Sequence, residues 1–304
     1  MKEKFIEKKF TNKSLAKIEQ ANSIIDEYQS QGLSLTLRQL YYQFVARDLM
    51  ANKQKNYKSL GSLLSNARLA GLTDWKSMED RTRGISGGDY GDHSVHSFMA
   101  EVSSGYSRHW WDGQETYVEV WVEKEALAGV VERACRKYRV PFFSCRGYTS
   151  QSEQYKAGKR FEYHSNILDK SCHLLHLGDH DPSGIDMTRD NDDRLQMFAP
   201  GTVTIERMAL NMDQIIDQKP PPNPAKESDS RHGKYKERYG SSSWELDALN
   251  PDFIDNLIEN RIKELIDLDK FYECQRQEDE DREEIDRVAN NYDEILNFLN
   301  ENGY

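Results

Sequence analysis

Three carboxylates stand where chemistry is often done. The stretch "YVEVWV" (residues 117–122) reads as a strand and runs into Glu123-Lys124-Glu125. The stretch "CHLLHL" (172–177) reads as another and runs into "GDHDPSG", residues 178–184. Parallel strands open their carboxyl ends on one sheet edge, so Glu123, Asp179 and Asp181 can converge there. Clustered carboxylates repel unless a cation neutralises them, and hard oxygen donors suit Mg²⁺ or Mn²⁺. Gly178 and Gly184 would let the backbone turn tightly beside them. The plainer reading of the D-x-D spacing is a helix N-cap. His180, between the aspartates, is expected to point away.

A second candidate lies in "TLRQLYYQFVA", residues 36–46. Neighbours on a helix sit about 100° apart, so Tyr41 and Tyr42 cannot share a face. Leu37, Leu40, Tyr41, Phe44 and Val45 fall within an arc of roughly 140°, the apolar stripe. Tyr41 is therefore expected in the core. Tyr42 falls outside the stripe and is expected to be exposed, beside Arg38 one turn earlier. An exposed tyrosine next to a guanidinium can attack a phosphodiester. The arginine would hold the phosphate and favour phenolate, whose ordinary pKa is about 10. The plainer reading is a surface tyrosine and a helix-face arginine.

The elements that must position these residues change character along the chain. Residues 14–30 read as a helix, Thr36 can N-cap a second, and "YKSLGSLLSNARLAGL" reads as a third. Three short helices and a loop suggest a helix-turn-helix or winged-helix unit. Residues 84–113 are rich in Gly, Ser and His and read as loop; Trp110 and Trp111 within them are expected to pack between domains. From 115 onward, strands and helices alternate through "TVTIERMA", which predicts a doubly wound parallel sheet of about 100 residues. After "KPPPNP" comes a basic stretch with Lys226, Arg231, Lys234, Lys236 and Arg238. The tail from 251 reads as helical, with "RQEDEDREEIDR" as a solvated face.

Composition limits the function. The 304 residues allow two domains, and the net charge of −11 at first opposes a nucleic-acid partner. Yet residues 1–83 hold 15 lysines and arginines against 9 acids, a balance of +6 that leaves −17 to the remainder. A basic module joined to an acidic one can still bind phosphates locally. Arg68, Arg81 and Arg83 are candidates for such contacts. Four scattered cysteines without a C-x-x-C pair fit a reducing cytoplasm. No long apolar run marks a membrane span, and "MKEKFIEKKF" lacks the apolar region of a secretory signal.

The segments "VEKEA" and "LGDHDPSGIDM" resemble the two signatures of the Toprim domain, found in topoisomerases, primases and certain nucleases. The V-E-K and D-x-D-P-x-G variant resembles the A subunit of topoisomerase VI and the related meiotic break-forming protein. "CRGYTS" (145–150), "SSWELDAL" (242–249) and "LRQLYY" also look like motifs of that family, and the resemblance spans roughly residues 33–250. It implies three regions. Residues 1–113 would be a winged-helix-like DNA-binding domain carrying the tyrosine, and 114–218 a Toprim metal-binding domain. Residues 219–304 would be a basic linker and helical acidic extension. The length fits a compact phage- or bacterial-type member without an ATPase subunit.

The resemblance implies Mg²⁺-dependent cleavage of double-stranded DNA, with Tyr42 attacking to give a 5′-phosphotyrosyl adduct. Arg38 would assist. Glu123, Asp179 and Asp181 would hold the metal, and Lys124 and Arg146 could touch the phosphate. It also implies a homodimer whose active sites are shared between chains. No G-x-x-x-x-G-K-[ST] motif occurs, so any ATP dependence would come from a separate chain. One alternative is a hydrolytic Toprim nuclease of a defence or phage system, in which water attacks. Another is a DNA-binding protein that keeps the fold without catalysis.

Overall fold

The computed structural model describes residues 2–30, 35–78 and 94–303. Arg81, Arg83 and His93 lie outside the described residues. The chain divides into two compact units, one of Met1–Arg83 with Val118–Ile262 and one of Gly84–Tyr117 with Lys263–Tyr304. Among the described residues no helix is long and apolar enough to cross a membrane.

The first unit opens with the three expected helices, α1 (Asn12–Ser30), α2 (Leu37–Ala46) and α3 (Gln54–Leu69). In α1 the buried positions Ile18, Ala21, Ile25 and Tyr28 recur at three- and four-residue spacing, the pattern of one buried helix face. Helix α2 begins at Thr36 for a local reason. Its hydroxyl accepts the Gln39 N–H at 3.3 Å, and the Gln39 side chain accepts the Thr36 N–H at 2.8 Å. This capping box satisfies two otherwise orphaned donors. The helices share one apolar cluster in which Tyr28, Leu40, Tyr41, Tyr42, Phe44, Leu60 and Leu64 meet Ala248 from far along the chain. Helices α2 and α3 approach so closely that a methyl on Gly61 would lie 2.8 Å from Leu37. The β contacts of this segment among the described residues are isolated bridges, Lys4 with Ala70 and Leu35 with Met78.

Helix α4 (Val95–Gly105) belongs to the second unit. The sheet then forms from β1 (Thr116–Val122), β2 (Phe142–Ser144), β3 (Ser171–Leu177) and β4 (Val203–Ala209). Its order is β2-β1-β3-β4, and β1 pairs parallel with β2 as β3 does with β4. The crossovers are α5 (Ala128–Lys137), α6 (Gln151–Asn166) and α7 (Pro182–Phe198). This is the alternating α/β architecture expected. Val118, Glu119, Val120, Trp121 and Val122 are all buried. Successive strand residues point to opposite faces, so both faces of β1 are covered. The buried Glu119 is neutralised by Arg160, at 2.9 and 3.0 Å, and accepts the Trp121 indole N–H. Because β2 and β3 flank β1 on opposite sides, the strand order reverses between β1 and β3, and open sheets form crevices at such points.

Beyond the sheet lie α8 (Met212–Gln218), the short antiparallel pair β5 (Asn223–Pro224) and β6 (Ser242–Ser243), and α9 (His232–Tyr239) between them. Helix α10 (Pro251–Leu265) follows, then α11 (Leu268–Asn290) and α12 (Tyr292–Glu301). The acidic stretch of α11 is not wholly solvated. Glu278 is fully buried in the second unit, where it accepts the Trp110 indole N–H at 2.7 Å and the Arg108 N–H at 2.8 Å. Trp110 also meets Phe271 of the same unit edge-on at 5.1 Å.

Tyr41 is buried as its periodicity requires, and its hydroxyl accepts the Lys53 N–H at 2.8 Å. Tyr41→Ala should lower the unfolding free energy by about 3–5 kcal/mol, the range for large aromatic truncations. Thr36→Ala should cost only about 1 kcal/mol, the typical worth of an N-cap. Urea denaturation measures both; equal losses would mean that α2 is held by its cap and not by its buried face.

Candidate functional site

The carboxyl ends of β1 and β3 meet as the sequence predicted. Glu123 donates its N–H to the Leu177 carbonyl at 2.8 Å, and its side chain accepts the Asp179 N–H at 2.8 Å. A Cβ on Gly178 would lie 3.0 Å from the Glu123 carboxylate, and one on Gly184 would lie 2.2 Å from the Asp179 carbonyl. Gly184 is therefore required by close approach to backbone, while at Gly178 the tight neighbour is the end of a side chain. The plainer reading of the second aspartate is realised: Asp181 caps α7, its Oδ1 accepting the Gly184 N–H at 2.6 Å and the Ser183 hydroxyl at 3.0 Å. His180 turns into an aromatic group, bonded to the Tyr235 hydroxyl at 2.7 Å and edge-on to Tyr239 and Trp244.

Arg207, on β4, fixes this loop from beneath. Its guanidinium donates to the carbonyls of Gly178, Asp179 and Gly184 and to the Thr188 hydroxyl. Burial lowers its pKa to about 10, against the pull of Glu123 and Asp179. Nothing in "TVTIERMA" marks this arginine, because its role depends on which strand lies beside β3.

The loop is also joined to a distant segment. His180 and Trp244 exchange backbone hydrogen bonds at 2.9 and 3.0 Å, and Leu246 donates its N–H to Asp179 Oδ1 at 2.8 Å. This places Glu245 and Asp247 against Lys124, whose ammonium lies 3.0 Å from Asp179, 2.7 Å from Glu245 and 2.8 Å from Asp247. Burial works against the lysine's charge, but these three carboxylates outweigh it and raise its pKa. The same two acids hold Arg38 of α2, which is paired with Glu245 and lies 3.1 Å from Asp247. Glu245 and Asp247 carry the network, yet the "SSWELDAL" resemblance assigned them no roles. Their signal was the alternation itself, two acids flanking Leu246, which is fully buried.

The structure corrects several expectations. Tyr42 is 4% exposed and belongs to the apolar cluster, because residues 245–249 cover the helix face that the stripe leaves open. Its phenol is raised to about 12, by burial first and then by Glu245 and Asp247, which outweigh Arg38. Arg38 pulls the phenol towards phenolate, but burial and the two carboxylates win. Its guanidinium, 5.9 Å from the Tyr42 ring, is held by carboxylates. Arg146 pairs with Glu125 through two contacts, at 3.0 and 3.1 Å, and not with the loop after β3. Arg68 donates to the Met78 carbonyl and stacks on Trp75, so this guanidinium serves the fold. Tyr42 still lines a cavity of about 300 Å³, with Arg38, Asn223 and Glu245 among its walls.

The carboxylates fit a hard divalent cation in kind. Glu123 and Asp179 are both pushed above the usual carboxylate range, chiefly by burial, with the charge of Asp181 adding to it at Glu123 and those of Glu123 and Asp247 adding to it at Asp179. In each of Glu123, Asp179 and Asp181 one oxygen is engaged by the fold. Among the described residues, no three His, Cys, Asp or Glu side chains converge as a ready ligand set.

Glu245 is held down to about 2 although burial opposes it, because Lys124 and Arg38 stabilise its charge. Its contribution to stability is complete above its ordinary value of 4.5 and disappears as pH falls towards 2. Urea unfolding of Glu245→Gln should therefore show a shallower loss of stability between pH 5 and pH 2 than the parent chain. Parallel curves would mean that the carboxylate is not held by these cations. No family model and no curated protein matches this chain, so the function of the site has to be argued from its own residues.

Proposed function

We propose that this chain cuts DNA by transesterification at Tyr42, with Mg²⁺ or Mn²⁺ held by Glu123, Asp179 and Asp181. In this reading it is similar to the DNA-cleaving chain of topoisomerase VI, with a winged-helix-like N-terminal part and a Toprim sheet. One observation carries the proposal. The Arg38 guanidinium lies over the Tyr42 ring, Arg38 and Lys124 both pair with Glu245, and Lys124 pairs with Asp179. The candidate nucleophile and the candidate metal ligands, from separate motifs, lie in one continuous network.

The charge count supports a divalent ion. Glu123, Asp179, Asp181, Glu245 and Asp247 face Arg38, Lys124 and Arg207. Five negative charges against three positive leave −2 when all are ionised. A phosphate would be repelled until that excess is neutralised. A bound Mg²⁺ would supply this neutralisation and stabilise charge on the phosphate oxygens.

The protein's own groups do the rest. Arg38 and Lys124 exchange carboxylate partners for the phosphate. Tyr42 Oη forms a bond to phosphorus as the bond from phosphorus to the 3′ oxygen breaks. The phenolic proton passes to Glu245, which lines the same cavity, and water protonates the departing 3′ oxygen. Engaging the phosphate takes Arg38 off Glu245, and a carboxylate relieved of that charge is a better proton acceptor. The chemistry follows the general form of covalent catalysis by an activated hydroxyl.

The burial of Tyr42 and its raised pKa favour a second reading, hydrolysis by a Toprim nuclease in which water attacks and Tyr42 only positions Arg38. Denaturing electrophoresis after incubation with labelled DNA and Mg²⁺ separates the two. The proposal expects a covalent adduct that Tyr42→Phe abolishes while DNA binding persists. Cutting by Tyr42→Phe without adducts would establish hydrolysis instead. Asp179→Asn and Glu123→Gln should stop cleavage under either reading, since each removes a negative hard ligand at nearly constant shape.

A homodimer would let two such sites cut both strands. The sequence suggested sites shared between chains, but the links from Tyr42 to Asp179 run within one chain, which supports a site assembled in cis. Mixing Tyr42→Phe with Asp179→Asn protomers should then restore no activity. Return of single-strand nicking, with protomer exchange shown independently, would establish the shared arrangement.

A further inference from the structure

We infer that the cavity beside Tyr42 seats one unstacked nucleobase, so that the preferred substrate carries an unpaired nucleotide at the cutting site. The inference deepens the DNA-cleavage reading and rests on it for the polymer, though not for the base.

The cavity, about 300 Å³, is at the small end of ligand sites. It cannot take a duplex, but it can take one nucleotide unit. Its walls combine two kinds of group. Tyr41, Tyr42 and Tyr57 supply aromatic rings, with Tyr41 to Tyr42 at 5.6 Å and Tyr41 to Tyr57 at 5.5 Å between centroids. Asn52, Gln54 and Asn223 supply amides from three separate segments. Rings stack on bases of any sequence, and amides both donate and accept, as base edges do.

The polar groups are already ordered. Asn52 donates to Asn223 at 2.7 Å, and Asn223 donates to Glu245 at 3.3 Å. Tyr57 is half-buried and Gln54 is exposed, so these two can meet a ligand from solution. Arg38 and Glu245 complete the lining. One nucleotide can therefore place its base among the rings and amides and its phosphate at the guanidinium. Cavities that stay dry are apolar, whereas this one mixes rings with amide and charged groups. An unpaired base enters at least cost because no pairing or stacking need be broken.

The test uses the full chain in EDTA, which separates binding from cutting. The probes are two 20-mer duplexes containing 2-aminopurine, one with that base as a single-nucleotide bulge and one with it paired. The bulged duplex should bind about tenfold tighter, with its fluorescence quenched by ring stacking. Gln54→Ala and Tyr57→Ala should each reduce that preference severalfold while leaving affinity for the paired duplex within twofold. Gln54→Ala changes an exposed side chain at the start of α3, so it guards against a folding defect in Tyr57→Ala. Equal affinity for the two duplexes, or equal loss of both in the variants, would overturn the base seat and leave the cleavage proposal standing. If neither duplex binds, the DNA reading fails and titration with dAMP decides the cavity. Saturable dAMP binding lost in Tyr57→Ala would keep the base seat, and its absence would overturn it.

Discussion

The site depends on the placement of two cations, Lys124 and Arg38, among carboxylates they share. Lys124 is bound by Asp179, Glu245 and Asp247, and Arg38 by the last two. Around Lys124, the more buried of the two, removing one member of the group should cost about 3–5 kcal/mol, because its partner is left uncompensated. The network therefore ties helix α2 to the edge of the sheet, with the 245–247 segment as the connecting piece. It also sets Asp247, whose side chain has no exposure, between both cations.

That arrangement requires the loop after β3 to be rigid, and the rigidity has separate sources. The Arg207 guanidinium gathers three carbonyls around itself, the capping carboxylate of Asp181 anchors the start of α7, and Gly184 admits the Asp179 carbonyl where a Cβ would collide. The reciprocal bonds of His180 and Trp244 then carry the geometry of the sheet to residues 245–247. Position and charge reinforce one another: the backbone brings the acids together, and the cations offset the repulsion that results.

Tyr42 has two roles that pull in different directions. Its ring is part of the apolar cluster that holds the three helices, while it also lines the cavity with Arg38 and Glu245. A buried, protonated phenol is a poor nucleophile at rest. Under the proposed reaction it becomes competent only when a phosphate takes Arg38 from its carboxylate partners, so chemistry would be coupled to substrate binding.

Local pattern was legible in the sequence, and distant coverage was not. Thr36 and Gln39 mark the start of α2, the apolar stripe places Tyr41 inside, and the alternation after residue 115 gives the parallel sheet. Parallel strand ends must share an edge, so Glu123 and Asp179 could be brought to one edge from strand direction alone, and the D-x-D spacing already contained the N-cap that Asp181 forms. The burial of Tyr42 could not be read this way. It is decided by residues some two hundred positions later, and helical periodicity reports which face is apolar, not what else covers the chain. The same limit hid Glu245, Asp247 and Arg207. A charged side chain looks alike in sequence whether it faces water or a counter-charge, and only the fold, by setting segments side by side, determines which of the two it meets.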